Sequence, residues 1–254
     1  MKSKIELLIK QYVANYPEIK NVQNKWKEPL ITYADANDEM FYILKDVVSS
    51  SHAMPKDMLP EAESIVAYFI PFEDYIVKSN IENKECSKEW AIAYVETNQL
   101  IADLNAYIKQ EFDELGYKIS SAPATHNFDE KKLISDWSHR HVAYIAGLGK
   151  FGLNNMLITE KGCCGRIGTF VTNLKLEPTK RKEKESCLFK HNNSCKKCVK
   201  RCVNDALAVE GFDRFKCYEM CLINDEFHTD ITSLTDVCGK CLVNVPCSTM
   251  NPGK

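Results

Sequence analysis

Apolar and polar positions alternate in two textures along this chain. Ile5, Leu8, Ile9, Tyr12 and Val13 recur at helical intervals over residues 2–15, and Met40, Phe41, Leu44, Val47 and Val48 repeat the stripe over 38–49. The segment from His52 to Pro60 carries two prolines and reads as a loop. Ser64 to Pro71 (SIVAYFIP) is a continuous apolar, β-branched run, which predicts a buried strand. Residues 88–115 predict the longest helix. Trp90, Tyr94, Ile101, Leu104, Ile108, Phe112 and Leu115 form its core-facing stripe, and Gly116 caps it. Tyr117–Ser121 reads as a strand and 129–146 as a further helix.

The texture changes at Gly147. Six of the ten glycines fall between Gly147 and Gly168, where two short strands, Met156–Thr159 and Ile167–Thr172, bracket a turn. Glycine at that density marks tight turns or a backbone that something approaches closely. Pro178 and six consecutive charged residues, Lys180 to Glu185, follow. They read as a solvated linker, with a basic contact for a polyanion or redox partner as the sharper alternative. The domain boundary is placed here, with a mixed α/β domain over 1–178 and a small domain over 179–254.

Composition narrows the class. The chain has 254 residues, 44% hydrophobic and 27% charged, with a net charge of −2. That is enough to build a core and gives no footprint for bulk nucleic-acid binding. No apolar run reaches the roughly 18–20 residues of a membrane span, and the charged N-terminal stretch is not built like a signal peptide. A cytoplasmic protein with no membrane partner is expected.

Cysteine is the anomaly. There are twelve, and nine lie between Cys187 and the end of the chain. In a reducing compartment disulfides are disfavoured, so thiols packed this densely read as metal ligands. The first motif is Cys187-x7-Cys195-x2-Cys198-x3-Cys202. The second is Cys217-x3-Cys221 followed by Cys238-x2-Cys241-x5-Cys247. In bacterial two-cluster ferredoxins the last cysteine of a motif ligates the other cluster. The same crossing here assigns Cys187, Cys195, Cys198 and Cys247 to one [4Fe–4S] cluster. The other takes Cys202, Cys238, Cys241 and either Cys217 or Cys221, with Cys217 preferred. Two cross-braced zinc sites are the alternative. Cys86 reads as an inert thiol. Cys163-Cys164 reads as a packed pair, or else as a redox pair or substrate contact.

Gly147-Leu-Gly149-Lys-Phe-Gly152 also fits the dinucleotide pattern G-x-G-x-x-G, but a helix precedes it and a strand follows, the reverse of what that motif requires. The stretch from Ala146 to Ile158, then Gly168-Thr-Phe-Val-Thr-Asn-Leu174, resembles the core segment of epoxyqueuosine reductases. Leu59-Pro-Glu-Ala-Glu-Ser-Ile65 resembles their leucine-proline–alanine–serine approach to a strand, and the cysteine motifs follow in the same order. The resemblance is sparse and covers most of residues 50–250.

The resemblance implies an α+β chain: a mixed α/β corrinoid-binding domain followed by a ferredoxin-like domain with two [4Fe–4S] clusters, a layout shared with reductive dehalogenases. The clusters would pass electrons to cobalamin, with a ferredoxin or flavodoxin as donor. Gly147, Leu148, Gly149, Gly152 and Gly168 would lie near the corrinoid. The family's Asp–x–x–Pro–x–x–Glu–Arg pattern falls on Leu133 to Arg140; Arg140 matches, while Leu133 replaces the proton-donating aspartate and His139 the glutamate. Asp136 and His139 are therefore the candidate acids. His126, His139 and His141 are each weighed as axial ligand or acid against ordinary packing. A short, divergent member acting on a small molecule rather than tRNA is expected, with a non-catalytic electron carrier or corrinoid-reducing activator as the alternative.

Overall fold

A computed structural model describes residues 1–123 and 127–254. Helix α1 (Lys2–Lys20) buries Ile5, Ile9, Val13 and Tyr16 and ends at Asn21 in the left-handed conformation (φ 53°). Strand β1 (Leu30–Asp35) follows. Helix α2 (Met40–Val47) buries Phe41 and Leu44. The proline loop contains one helical turn, α3 (Pro55–Met58), where the Asp57 carboxylate accepts the Met54 amide at 2.8 Å. Strand β2 (Ser64–Pro71) is buried at all eight positions, as its unbroken apolar run requires. After the short α4 (Asp74–Ser79), the Ser87 side chain caps α5 (Lys88–Asp113) by accepting the Trp90 amide. Gly116 has a φ of +78°, and β3 is confined to Ile119–Ser120.

The predicted helix over 129–146 is shorter in the structure: only α6 (His139–Ile145) forms. Upstream, the Asp129 carboxylate accepts the amides of Lys131 and Lys132, a local turn that competes with helix. An Asp129–Ile134 bridge closes it, with Leu133 at φ 52°. The glycine segment makes a hairpin, β4 (Lys150–Phe151) with β5 (Leu157–Ile158), and then β6 (Gly165–Thr172). The main sheet runs β1-β2-β6-β3 with every pairing antiparallel. The sheet therefore belongs to an α+β fold rather than to a parallel α/β one.

The cysteine-rich part adds α7 (Leu188–Asn192), α8 (Lys197–Arg201) and α9 (Arg214–Phe227), the last capped by Asp213. Residues on both sides of position 178 share one hydrophobic core: Ile5, Trp90, Phe170, Cys187, Leu242 and Val243 belong to it. The charged run is exposed over residues 180–184 and carries some contacts. Thr179 exchanges hydrogen bonds with Tyr33 (2.9 and 3.0 Å), Arg181 reaches Asp38 (2.5 Å) and Ile145 O (3.2 Å), and Lys182 pairs with Glu160.

Candidate functional site

The first turn of α6 is held by a polar network. Trp137, 1% exposed, donates its Nε1–H to Thr169 Oγ1 on β6 (3.0 Å). His139 Nδ1 meets the same hydroxyl at 2.8 Å, and its Nε2 meets Pro123 O at 3.1 Å. A carbonyl can only accept, so Nε2 carries a proton, and in the neutral ring Nδ1 then accepts from Thr169. Asp136 faces elsewhere: its carboxylate accepts from Ser51 Oγ at 2.5 Å, and its carbonyl accepts the Ala53 amide. The two candidate acids are thus anchored separately. His126 lies outside the described residues. His52 accepts the Ser138 amide at Nε2 and donates from Nδ1 to Ala53 O, which stacks it beside Trp137.

His141 bonds Ser138 Oγ at 2.7 Å. Burial, followed by the neighbouring Arg140 charge, pushes its pKa down to about 4, so it is neutral at pH 7 and is not an acid there. A depressed histidine pKa means that the unfolded chain binds the extra proton first. Stability is therefore lost as pH falls from about 6.5 towards 4. Urea midpoints over that range should fall less steeply for His141→Gln than for the parent.

Arg140, next on α6, donates to Asn155 O at 3.0 Å and contacts Met156 Sδ at 3.4 Å. It is open to solvent yet recessed among protein atoms, and desolvation lowers its pKa while the Cys217 thiol on α9 opposes the shift. A second guanidinium within its electrostatic reach, Arg166 on β6, stacks on the Tyr94 ring at 4.4 Å. Tyr94 donates to Asp236 at 2.6 Å. The N-terminus of α6, β6, α5 and α9 therefore converge beside Cys217.

The glycines divide by role. Gly147 needs its left-handed φ of +78° to end α6, and with Leu148 and Gly149 it lines an open cavity of about 180 Å³ that Arg181 and Lys182 also border. A Cβ on Gly149 would stand 2.4 Å from Ile158 O, one on Gly152 2.7 Å from Asn154 Oδ1, and one on Gly168 2.3 Å from the Tyr68 ring. At these three positions the missing side chain serves the protein's own packing.

All twelve cysteines are free. Cys187, Cys195, Cys198 and Cys247 line one small pocket. Burial and the adjoining Cys247 and Cys187 thiols push Cys198 up to about 11. The second gathering is centred on Cys241: burial and then the Cys238, Cys217, Cys202 and Cys198 thiols raise it strongly, Cys198 belonging also to the first. On α9, Cys217 and Cys221 lie one turn apart and interact, and the neighbouring Arg140 charge favours the thiolate at Cys217. Among the described residues no three His, Cys, Asp or Glu groups converge closely enough for a single metal ion. Cys163 is buried, and its amide donates to Cys247 O at 2.9 Å, tying the glycine-rich turn to the first gathering.

Three further residues at the second gathering were not signalled by motif spacing. The Trp90 indole N–H is buried with no acceptor among the described residues, against Gly239 between Cys238 and Cys241. Lys240, 1% exposed, and Arg201 hold loop carbonyls beside it. An orphaned donor and two cations around four thiols form a donor set that suits a sulfur-rich, negatively charged cluster.

No family model matches the sequence, and no curated protein matches it. Solved structures do. An epoxyqueuosine reductase from Streptococcus thermophilus superposes with a TM-score of 0.61 at 16% identity, over 98% of this chain and 66% of that one. An epoxyqueuosine reductase holding an epoxyqueuosine-modified tRNA-Tyr stem loop gives 0.53 at 20% identity, over 96% and 66%. A catabolic reductive dehalogenase bound to 3-bromo-4-hydroxybenzoic acid gives 0.58 at 16%, over 87% and 30%. The fold is thus the one that epoxyqueuosine reductases and reductive dehalogenases share. The chain spans about two-thirds of the length of the former and under a third of the latter. With a tRNA stem loop in one of these neighbours, the expectation against tRNA finds no support. Among the described residues no helix is long and apolar enough to cross a membrane.

Proposed function

We propose that this chain is an iron–sulfur oxidoreductase of the corrinoid-dependent kind. One [4Fe–4S] cluster takes Cys187, Cys195, Cys198 and Cys247, and the other Cys202, Cys217, Cys238 and Cys241. What supports the reading is that Cys247 lines the same pocket as Cys187, Cys195 and Cys198, and that Cys202 lies within electrostatic reach of Cys238 and Cys241, in a fold that two reductase families share. Cys217 is preferred over Cys221 because it is the thiol that faces Arg140, whose charge favours the thiolate a metal needs. A bound corrinoid would supply a strongly reducing cobalt centre for a bond-breaking reduction of the substrate.

The chain's residues would do the rest. The second gathering adjoins Arg140, so α6 and β6 face the end of the electron path. Gly147 and Leu148 end the helix that presents these groups. Asp136 beside Ser51, and His139 through the Thr169 hydroxyl, are the proton carriers in this reading. Arg140 and Arg166 provide positive charge for an anionic group at the same place. Electrons would arrive from a ferredoxin- or flavodoxin-type donor.

Anaerobic reconstitution with iron, sulfide and cobalamin tests this. About eight irons per chain, broad visible absorption and a perturbed cobalamin spectrum are expected. Iron without a cobalamin response would leave a two-cluster electron carrier. A chain that binds two zinc ions and no iron would overturn the reading.

A further inference from the structure

The two thiol gatherings sit in unlike surroundings. The cavity of the first is lined, besides its cysteines, by Leu153, Ile158, Leu188, Val245 and Pro246 among other uncharged residues, and no charged side chain borders it. The lysines of the neighbouring α8 segment, Lys196, Lys197 and Lys200, are not buried, so solvent and salt screen them.

The second gathering is different. Lys240 lies between Cys238 and Cys241 in sequence and is 1% exposed. Its Nζ donates to Asn80 O at 3.0 Å and Glu82 O at 2.6 Å. Arg201, next to Cys202, donates to the intervening Ile81 O at 2.6 Å and to Lys240 O at 3.4 Å. Asn80 in turn donates to Cys238 O at 2.9 Å. Three consecutive carbonyls of the 80–82 loop thus hold two cations against this gathering. Neither cation forms an ion pair among the described residues, and Glu85, the acidic group with most influence on Lys240, makes none with it. A buried ammonium without a carboxylate is costly, and carbonyl dipoles offset only part of the cost. A cluster of four thiolates and sulfide, net negative and more so when reduced, supplies the missing counter-charge.

We propose that Lys240, assisted by Arg201, raises the reduction potential of the centre on Cys202, Cys217, Cys238 and Cys241 above that of the centre on Cys187, Cys195, Cys198 and Cys247. The inference rests on the two-cluster reading above. Positive charge stabilises the reduced, more negative state, and only the second centre has such charge in a desolvated place. The step it directs is one electron leaving the first centre, which is oxidised, and entering the second, which is reduced. A low-potential one-electron carrier replenishes the first. Lys240 is a positioning residue in this scheme and touches no substrate.

The test is an EPR-monitored redox titration of the anaerobically reconstituted full chain, with each transition assigned by the one that Cys238→Ser or Cys198→Ser perturbs. In Lys240→Met the midpoint of the Cys238 centre should fall by about 59 mV or more, a tenfold change in its reduction equilibrium, while the other stays in place. Lys240→Arg keeps the charge and should restore the midpoint. Arg201→Gln, at a partly exposed side chain, should shift the same midpoint in the same direction, and it carries the test if Lys240→Met loads no iron. Midpoints that do not move, that move together, or that move only at the Cys198 centre overturn the inference. Failure of the parent chain to take up iron would instead overturn the two-cluster reading.

Discussion

Cys202→Ala should cost the protein about half of its iron, and the half that goes should be the centre built on the later cysteines. Cys202 stands four residues after Cys198 and thirty-six before Cys238. Proximity in sequence would make it a partner of Cys195 and Cys198. In the proposed assignment the chain turns at the end of α8 and the Cys202 thiol joins those of Cys217, Cys238 and Cys241. A [4Fe–4S] cluster deprived of one of four thiolates is expected to be lost or degraded. Iron analysis should therefore drop from about eight to about four per chain. The EPR signal that disappears should match the one lost in Cys238→Ser. Loss of the Cys198→Ser signal instead would mean that the motifs do not cross.

Gly162→Ala should destabilise the chain by roughly 3 kcal/mol and loosen the first thiol gathering with it. Two effects combine. Gly162 has a φ of +79°, a conformation that a side chain strains, and an added Cβ would stand 2.4 Å from Ser248 O. Thr159 and Gly162 exchange backbone hydrogen bonds at 3.0 and 3.1 Å, and the turn they close aims the Cys163 and Cys164 amides at Cys247 O and Ser248 O. Moving the turn moves the loop that carries Cys247. Gly116→Ala separates the effects: its φ is +78°, but nothing lies within 4 Å of the added carbon. It should cost only about 1 kcal/mol, the strain alone. Equal losses in denaturant midpoint for the two variants would show that the Ser248 contact contributes nothing.

Much was legible before any coordinates. The runs over 2–15, 64–71 and 88–115 identified α1, β2 and α5, because each buries a periodic or unbroken apolar face and local pattern decides such elements. The reading over 129–146 was too long because Asp129 bonds its own downstream amides, a local contest that periodicity does not register. The six charged residues from Lys180 read as a linker, since charge alone shows a preference for water and not the partners that Asp38 and Glu160 provide.

The linear order of residues was sufficient for the three long elements, since their burial is periodic, and for proposing two thiol sets by analogy with two-cluster ferredoxins, with Cys217 and Cys221 both open as the last ligand. Only the tertiary structure decided what surrounds those sulfurs. That Lys240 and Arg201 face carbonyls of the 80–82 loop, that Trp90 lies on Gly239, and that Gly168 yields to Tyr68 all depend on contacts between segments far apart in the chain. A lone lysine or glycine carries no mark of such a partner, because the energy of the contact belongs to the pair and exists only once both segments have been brought together.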